Sequence, residues 1–384
     1  MDLEVVEFPL HHKLALPFRI GLLFILGTWL WSFCCHYIYY LNKQDFDFTN
    51  ARTGVRQATV LPGATFTDLR TDLEQATSKN TIIKRINYEA GYCFSIIISI
   101  SWLIGFLLFI LNTRGDVKGL YTHPLYPTMW MIATVVLVTI PFPWRFRPVQ
   151  RSLQNCIIRV FFLFHANSYY PHKDLLLSEM FTSYAKMLGD FYVFGCVLKG
   201  HITKYTLRPD LKCDGTLFVP LLMTYPFVVA TLQSLHYAIR HRKTALKISL
   251  LNALKHALAF PLIYLSALIH AERSKFKLAS SHGYLFWAWN LLALLNSVYT
   301  FCWDTYVDWG INFPFEKVPS RRRLPFVAYF LAAILNFILR ITWSLKLYPR
   351  LYQYHDYEMG MFSFEMLEVL RRNLWLLFHL DASL

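Results

Sequence analysis

The chain has 384 residues, 55% of them hydrophobic and 17% aromatic, and its mean hydropathy is +0.34. So much apolar material excludes an ordinary soluble domain, and the long continuous runs exclude barrel strands, which leaves an all-α, polytopic helical membrane protein. The formal net charge of +14 would suggest nucleic acid in a soluble protein; here the cations are spread through loops and a few apolar runs, so membrane lipids and an anionic substrate are the expected partners, and nucleic acid is not.

Residues 1–17 form a polar lead with His11, His12 and Lys13, expected in the cytosol. The run 18–41 is the first span; it is too long and too aromatic for a cleavable leader and reads as an uncleaved signal anchor. Residues 42–88 are expected as a polar extramembrane loop, and no catalytic motif lies in them. Spans at 93–111 and 124–142 complete an N-terminal membrane unit, 18–142. A second unit, 143–384, begins near an interfacial turn with Trp144, Arg145, Arg147 and Arg151, followed by a short apolar segment at 153–164 and a helix at 174–198. Further spans fall at 217–237, 247–270, 283–303, 325–347 and 361–380. The total is about ten transmembrane helices, which puts both termini on one side. Basic loops fall on both sides, so charge alone does not orient the chain. The seven cysteines contain no CxxC pair, so neither a zinc site nor a disulfide framework is expected, and Cys34-Cys35 carries only a weak acylation signal. No metal, cofactor or enzymatic motif is expected.

Charges inside the apolar runs carry the functional signal, because a charge at membrane depth is costly and is kept for a task. In the 174–198 helix, Glu179, Thr182, Ser183, Lys186 and Asp190 share one helical face, with Lys186 and Asp190 spaced to pair. The opposite face is apolar, so the stripe is expected to line a cavity. Lys255 lies too deep in its span to reach the interface easily, with His256 beside it. Arg340 lies mid-span and shares a face with Trp343. Arg371 and Arg372 lie in the middle of the last span, three and four residues after Glu368, an order that favours pairing of both with it. Asp304 and Asp308 close another span; alone, each reads as a helix-end or turn residue. Together these groups form one polar column, with Lys255, Arg340, Arg371 and Arg372 outnumbering Glu179, Asp304 and Glu368. A small positive excess suits an oxyanion in transit, and guanidinium forks match phosphate or carboxylate.

Three clusters carry a resemblance: Trp303-Asp304…Asp308-Trp309-Gly310, Leu339-Arg340…Trp343, and Glu368…Arg371-Arg372…Trp375. With Ser178-Glu179…Thr182-Ser183…Asp190 and Leu251-Asn252-Ala253…Lys255, the chain resembles the EXS-domain family, which includes the SPX–EXS phosphate exporters. The resemblance covers about 142–380. It implies a ten-span, often dimeric, phosphate-conducting protein, with Lys255, Arg340, Arg371 and Arg372 as phosphate ligands. Glu179, Thr182, Asp190, Asp304, Trp343 and Glu368 are then expected to line or gate the pathway. Glu179 and Thr182 stand where the exporters carry Asp and Asn, and an exporter arginine has no counterpart near Gln233-Ser234. No SPX domain is expected, which likens the chain to short fungal EXS proteins of the Golgi. That likeness implies phosphate return from the Golgi lumen to the cytosol and a link to recycling of glycosylation enzymes. The competing expectation is a trafficking adaptor that retains Golgi glycosyltransferases, by binding them or their coat adaptors, around a purely structural charged core.

Overall fold

The computed structural model describes residues 14–53, 66–114, 122–140, 146–161, 172–198, 217–240, 246–275, 283–311, 324–342, 344 and 357–382. Among these the chain is helical and contains no strand. The first two helices, α1 (Leu16–Thr53) and α2 (Phe66–Thr113), run well beyond any membrane thickness. The expected loop at 42–88 is therefore corrected: its backbone is helical up to Thr53 and again from Phe66. Polar composition marks that stretch as outside the bilayer, but polarity does not forbid a helix.

After these come α3 (Leu125–Thr139), α4 (Arg147–Phe161), α5 (His172–Thr182), α6 (Ala185–Leu198), α7 (Phe218–Arg240), α8 (Leu246–Ala257) and α9 (Ala259–Lys275). The C-terminal part holds α10 (Gly283–Cys302), a π-helical turn (Trp303–Asp308), α11 (Phe326–Ile341) and α12 (Tyr357–Ala382). Leu16–Tyr40, Tyr88–Thr113, Phe218–Arg240, Leu246–Ile269 and Tyr284–Asp308 are long and apolar enough to cross a membrane. Two shorter apolar helices, α3 and α11, add to them. Among the described residues this falls short of the expected ten on length and composition: α5 and α6 are short, and α12 carries Glu365, Glu368, Arg371 and Arg372.

Two expected spans are broken. The 174–198 helix tightens at Ser183 and Tyr184, whose N–H groups donate three residues back, to Met180 and Phe181. The 247–270 span breaks at Leu258, between α8 and α9. Pro261 lies in the first turn of α9, where its missing N–H is tolerated and its ring keeps the helix from running on unbroken through Ala257. The α10 helix ends in wider turns, with Trp309 N donating to Asp304 O and Ile311 N to Thr305 O. Gly310 then takes a positive φ of 55°, a conformation that costs glycine little.

Apolar side chains such as Ile100, Leu103, Leu291, Leu295, Leu331 and Ile338 face outward, as a lipid-facing surface requires. The interior is aromatic where the π turn meets α12. Trp309, Trp375, Tyr329, Leu376 and Phe378 pack there with Cys34 of α1 and Met180 of α5. The α3 helix closes on α4: Gln150 Nε2 donates to the carbonyl of Leu137 at 3.0 Å, and Gln154 Nε2 to that of Val138 at 2.6 Å. Those carbonyls have no partner in their own last turn, so α4 satisfies them where water is scarce.

The α2 and α3 backbones meet at Gly105, where an added Cβ would stand 2.3 Å from the Tyr126 carbonyl oxygen. Because that oxygen is backbone, the helices themselves must part. Gly105→Ala is expected to cost about 1–3 kcal/mol, read as a lower melting temperature of the detergent-solubilised protein.

Cysteine spacing gave no disulfide framework, yet Cys196 near the end of α6 is disulfide-bonded. Spacing carries no signal for an isolated bond.

Candidate functional site

Five structural pieces bring the charges together. The π turn holds Asp304 with only 1% of its surface exposed. Two residues on α11, one turn apart, meet it: Asn336 Nδ2 donates to Asp304 Oδ2 at 3.0 Å, and Arg340 pairs with the same oxygen. Arg340 also donates to Thr300 Oγ1, one turn before Asp304 on α10. From α12, Arg371 NH1 lies 3.5 Å from Asp304 Oδ2 and donates to Asn336 Oδ1 at 3.3 Å. Its Nε and NH2 form a fork onto Glu368 at 2.8 and 2.5 Å, the i, i+3 pairing that the spacing predicted.

Arg372 points elsewhere. Its Nε donates to Ser183 Oγ at 3.0 Å, NH2 to Thr182 Oγ1 at 3.1 Å and NH1 to Glu179 Oε2 at 3.3 Å. Its guanidinium also lies over Trp375, 5.0 Å from the ring centroid. The expected direct neutralisation of Arg372 by Glu368 is corrected: Glu368 reaches Arg372 only through Ser183, whose hydroxyl donates to Glu368 Oε1 at 3.0 Å. One residue further along α12 turns the side chain about 100°, toward α5 rather than back along α12.

Glu179 is the other junction. Its Oε1 accepts from Lys255 Nζ at 2.7 Å and lies 3.0 Å from His256 Nε2, while Oε2 faces Arg372. Lys255 Nζ also sits over Trp303, 5.4 Å from the ring centroid. The result is one continuous network from α8 through α5, α12 and α11 to α10. Behind it, Asp308 takes the indole N–H groups of Trp303 at 3.1 Å and Trp375 at 2.9 Å, which fixes the two rings that back Lys255 and Arg372.

This network walls a cavity of about 320 Å³. All four cations expected as ligands line it: Lys255, Arg340, Arg371 and Arg372. Thr182, Asp304 and Glu368 line it too, whereas Glu179 sits behind the cations it holds. The remaining wall is mostly apolar, from α7, α9 and α10. Asp190 does not reach the cavity; it pairs with Lys186 as its spacing predicted, and Glu365 lies 3.7 Å from the same ammonium. Trp343 lies outside the described residues. Sequence reasoning did not assign His256, Thr300 or Asn336 to the site. The last two stand four residues before Asp304 and Arg340, a one-turn offset that could have found them.

Counting the four cations against the acids they pair with, Glu179, Asp304 and Glu368, leaves one positive charge with His256 neutral and Asp308 behind the network left out of the count. Every cation is held by an acid or hydroxyl, so an incoming anion competes with fixed internal partners. Such a site exchanges ligands more readily than a cage of unopposed cations.

The described helices form an α-helical membrane bundle with an intramembrane charge network, and the chain belongs to the EXS family, whose match covers residues 14–384. The chain is 59% identical to Protein ERD1 homolog 2 of Schizosaccharomyces pombe, over all of this chain and 99% of that protein. It is 24% identical to Protein ERD1 of Saccharomyces cerevisiae, over 96% of this chain and 92% of that one. A shorter match, 30% identical, links 34% of the chain to 20% of human Solute carrier family 53 member 1.

Proposed function

We propose that the protein carries inorganic phosphate across the Golgi membrane, from lumen to cytosol, through the cavity walled by Lys255, Arg340, Arg371 and Arg372. The observation that supports this most strongly is the convergence of those four cations from three separate helices on one cavity. Three guanidinium forks and an ammonium suit a tetrahedral oxyanion of about 1.5–2 negative charges. Glu179, Asp304 and Glu368 hold the cations in place while the site is empty and take them back when phosphate leaves. The human relative's name, a solute carrier, agrees with transport.

Compartment and direction rest on further observations. The ERD1-named relatives agree with the short fungal EXS proteins that the sequence resembles, for which a Golgi location is expected. The Cys196 disulfide belongs to an oxidising lumen. Phosphate is a by-product of lumenal nucleotide-sugar use, so its return would sustain glycosylation and, with it, recycling of glycosylation enzymes.

The test is lumenal phosphate in Golgi-enriched vesicles from cells carrying wild-type protein or Lys255→Ala. Transport predicts that lumenal phosphate builds up in the variant and that glycosyltransferase retention weakens with it. Normal lumenal phosphate with failed retention would favour an adaptor around a structural charged core.

A further inference from the structure

The groups around the cavity include one imidazole, His256. His256 lines the cavity, and its Nε2 shares Glu179 Oε1 with the Lys255 ammonium. The imidazole is 4% exposed and therefore sees the cavity and its protein wall, not bulk water. The charged groups facing it are Glu179 on α5, Lys255 beside it on α8, and Arg372 on α12. Asp304 of the π turn, Arg340 on α11, and Glu368 and Arg371 on α12 line the same cavity. The α7, α9 and α10 walls present no titratable side chain to it.

We propose that His256 is a proton-binding group of this cavity, so that phosphate is loaded together with a proton from an acidic compartment and released toward a neutral one. The inference rests on the phosphate-transport reading given above. With neutral imidazole, Glu179 is divided between Lys255 and Arg372, and its N–H···O bond to His256 is a minor claim. An added proton makes the imidazole a full ionic partner for Glu179. That loosens the carboxylate's hold on Lys255 and Arg372, which both face the cavity. The same proton adds one positive charge to the site. Both effects strengthen anion binding, and both are reversed when the proton leaves. Imidazole is the side chain whose ordinary titration falls in this range. The step is a proton transfer to the ring nitrogen left free of Glu179, with no bond to phosphate made or broken.

The test uses purified full-length protein in vesicles loaded with radiolabelled inorganic phosphate, with the loading side at about pH 6 or about pH 7.5. Equilibrium phosphate binding in detergent is measured at the same two values. Phosphate's own titration is common to every protein tested, so the comparison is between wild type and two non-titrating variants, His256→Gln and His256→Asn. Wild type is expected to gain about tenfold more affinity and flux on acidification than either variant, as one added charge at this range implies. Wild type that moves phosphate with a pH profile superimposable on that of the variants overturns the proton-binding role alone. Wild type that neither binds nor moves phosphate overturns the transport reading and this inference with it.

Discussion

Arg372→Ala is expected to lower phosphate affinity by about 100-fold and to reduce flux to near the background of empty vesicles. Arg372 is the cation with the most hydroxyl partners, Ser183 and Thr182, and its guanidinium lies over the face of Trp375. Its guanidinium is therefore held in a fixed plane at the cavity wall. Each charge-assisted hydrogen bond to an anion is worth about 1.5–3 kcal/mol, and a lost fork removes two of them. The fold should survive the change, because Glu179 keeps Lys255 and His256 as partners. Arg372→Lys restores the charge without the planar fork and should recover only part of the affinity. Phosphate binding and thermal melting, measured on the same preparations, separate loss of the ligand site from loss of structure.

Asp304→Ala is expected to do the opposite kind of damage, destabilising the protein before any question of transport arises. Asp304 is the acid between Arg340 and Arg371, and it also takes the Asn336 amide. Removing it leaves Arg340 with only the Thr300 hydroxyl, while Arg371 retains Glu368. Breaking a buried pair in this way costs about 3–5 kcal/mol, a large part of the roughly 5–15 kcal/mol that holds a typical protein folded. The measurement is the melting temperature and monodisperse yield of the detergent-solubilised variant. Asp190→Asn is the control and should fall much less, because its partner Lys186 is about one-third exposed and keeps Glu365 nearby. Equal losses at the two positions would show that Asp304 is no keystone of the network.

Much of this site was legible because charges are rare in apolar runs. Lys255, Arg340, Arg371 and Arg372 stand out against their own segments, and all four meet at one cavity. Pairings within one helix, Lys186 with Asp190 and Glu368 with Arg371, follow from spacing alone. Pairings between helices do not. Glu179 meets Lys255 across 76 residues and Arg372 across 193, and which acid meets which cation depends on how each helix is rotated about its axis. That rotation is set by packing such as Trp309 and Tyr329 against Phe378, to which no local pattern points. The break after Ala257 had a signal in Pro261, whereas the tightening at Ser183 had none. His256 was passed over because Lys255 beside it is the more conspicuous charge, although the imidazole shares the same carboxylate oxygen.

The most direct measurement is release of radiolabelled phosphate from liposomes containing only the purified wild-type protein, set beside liposomes with Arg340→Ala and protein-free liposomes. Phosphate transport through this cavity predicts protein-dependent release that an excess of unlabelled phosphate competes and that Arg340→Ala nearly abolishes. Release from wild-type liposomes no faster than from protein-free ones would contradict it.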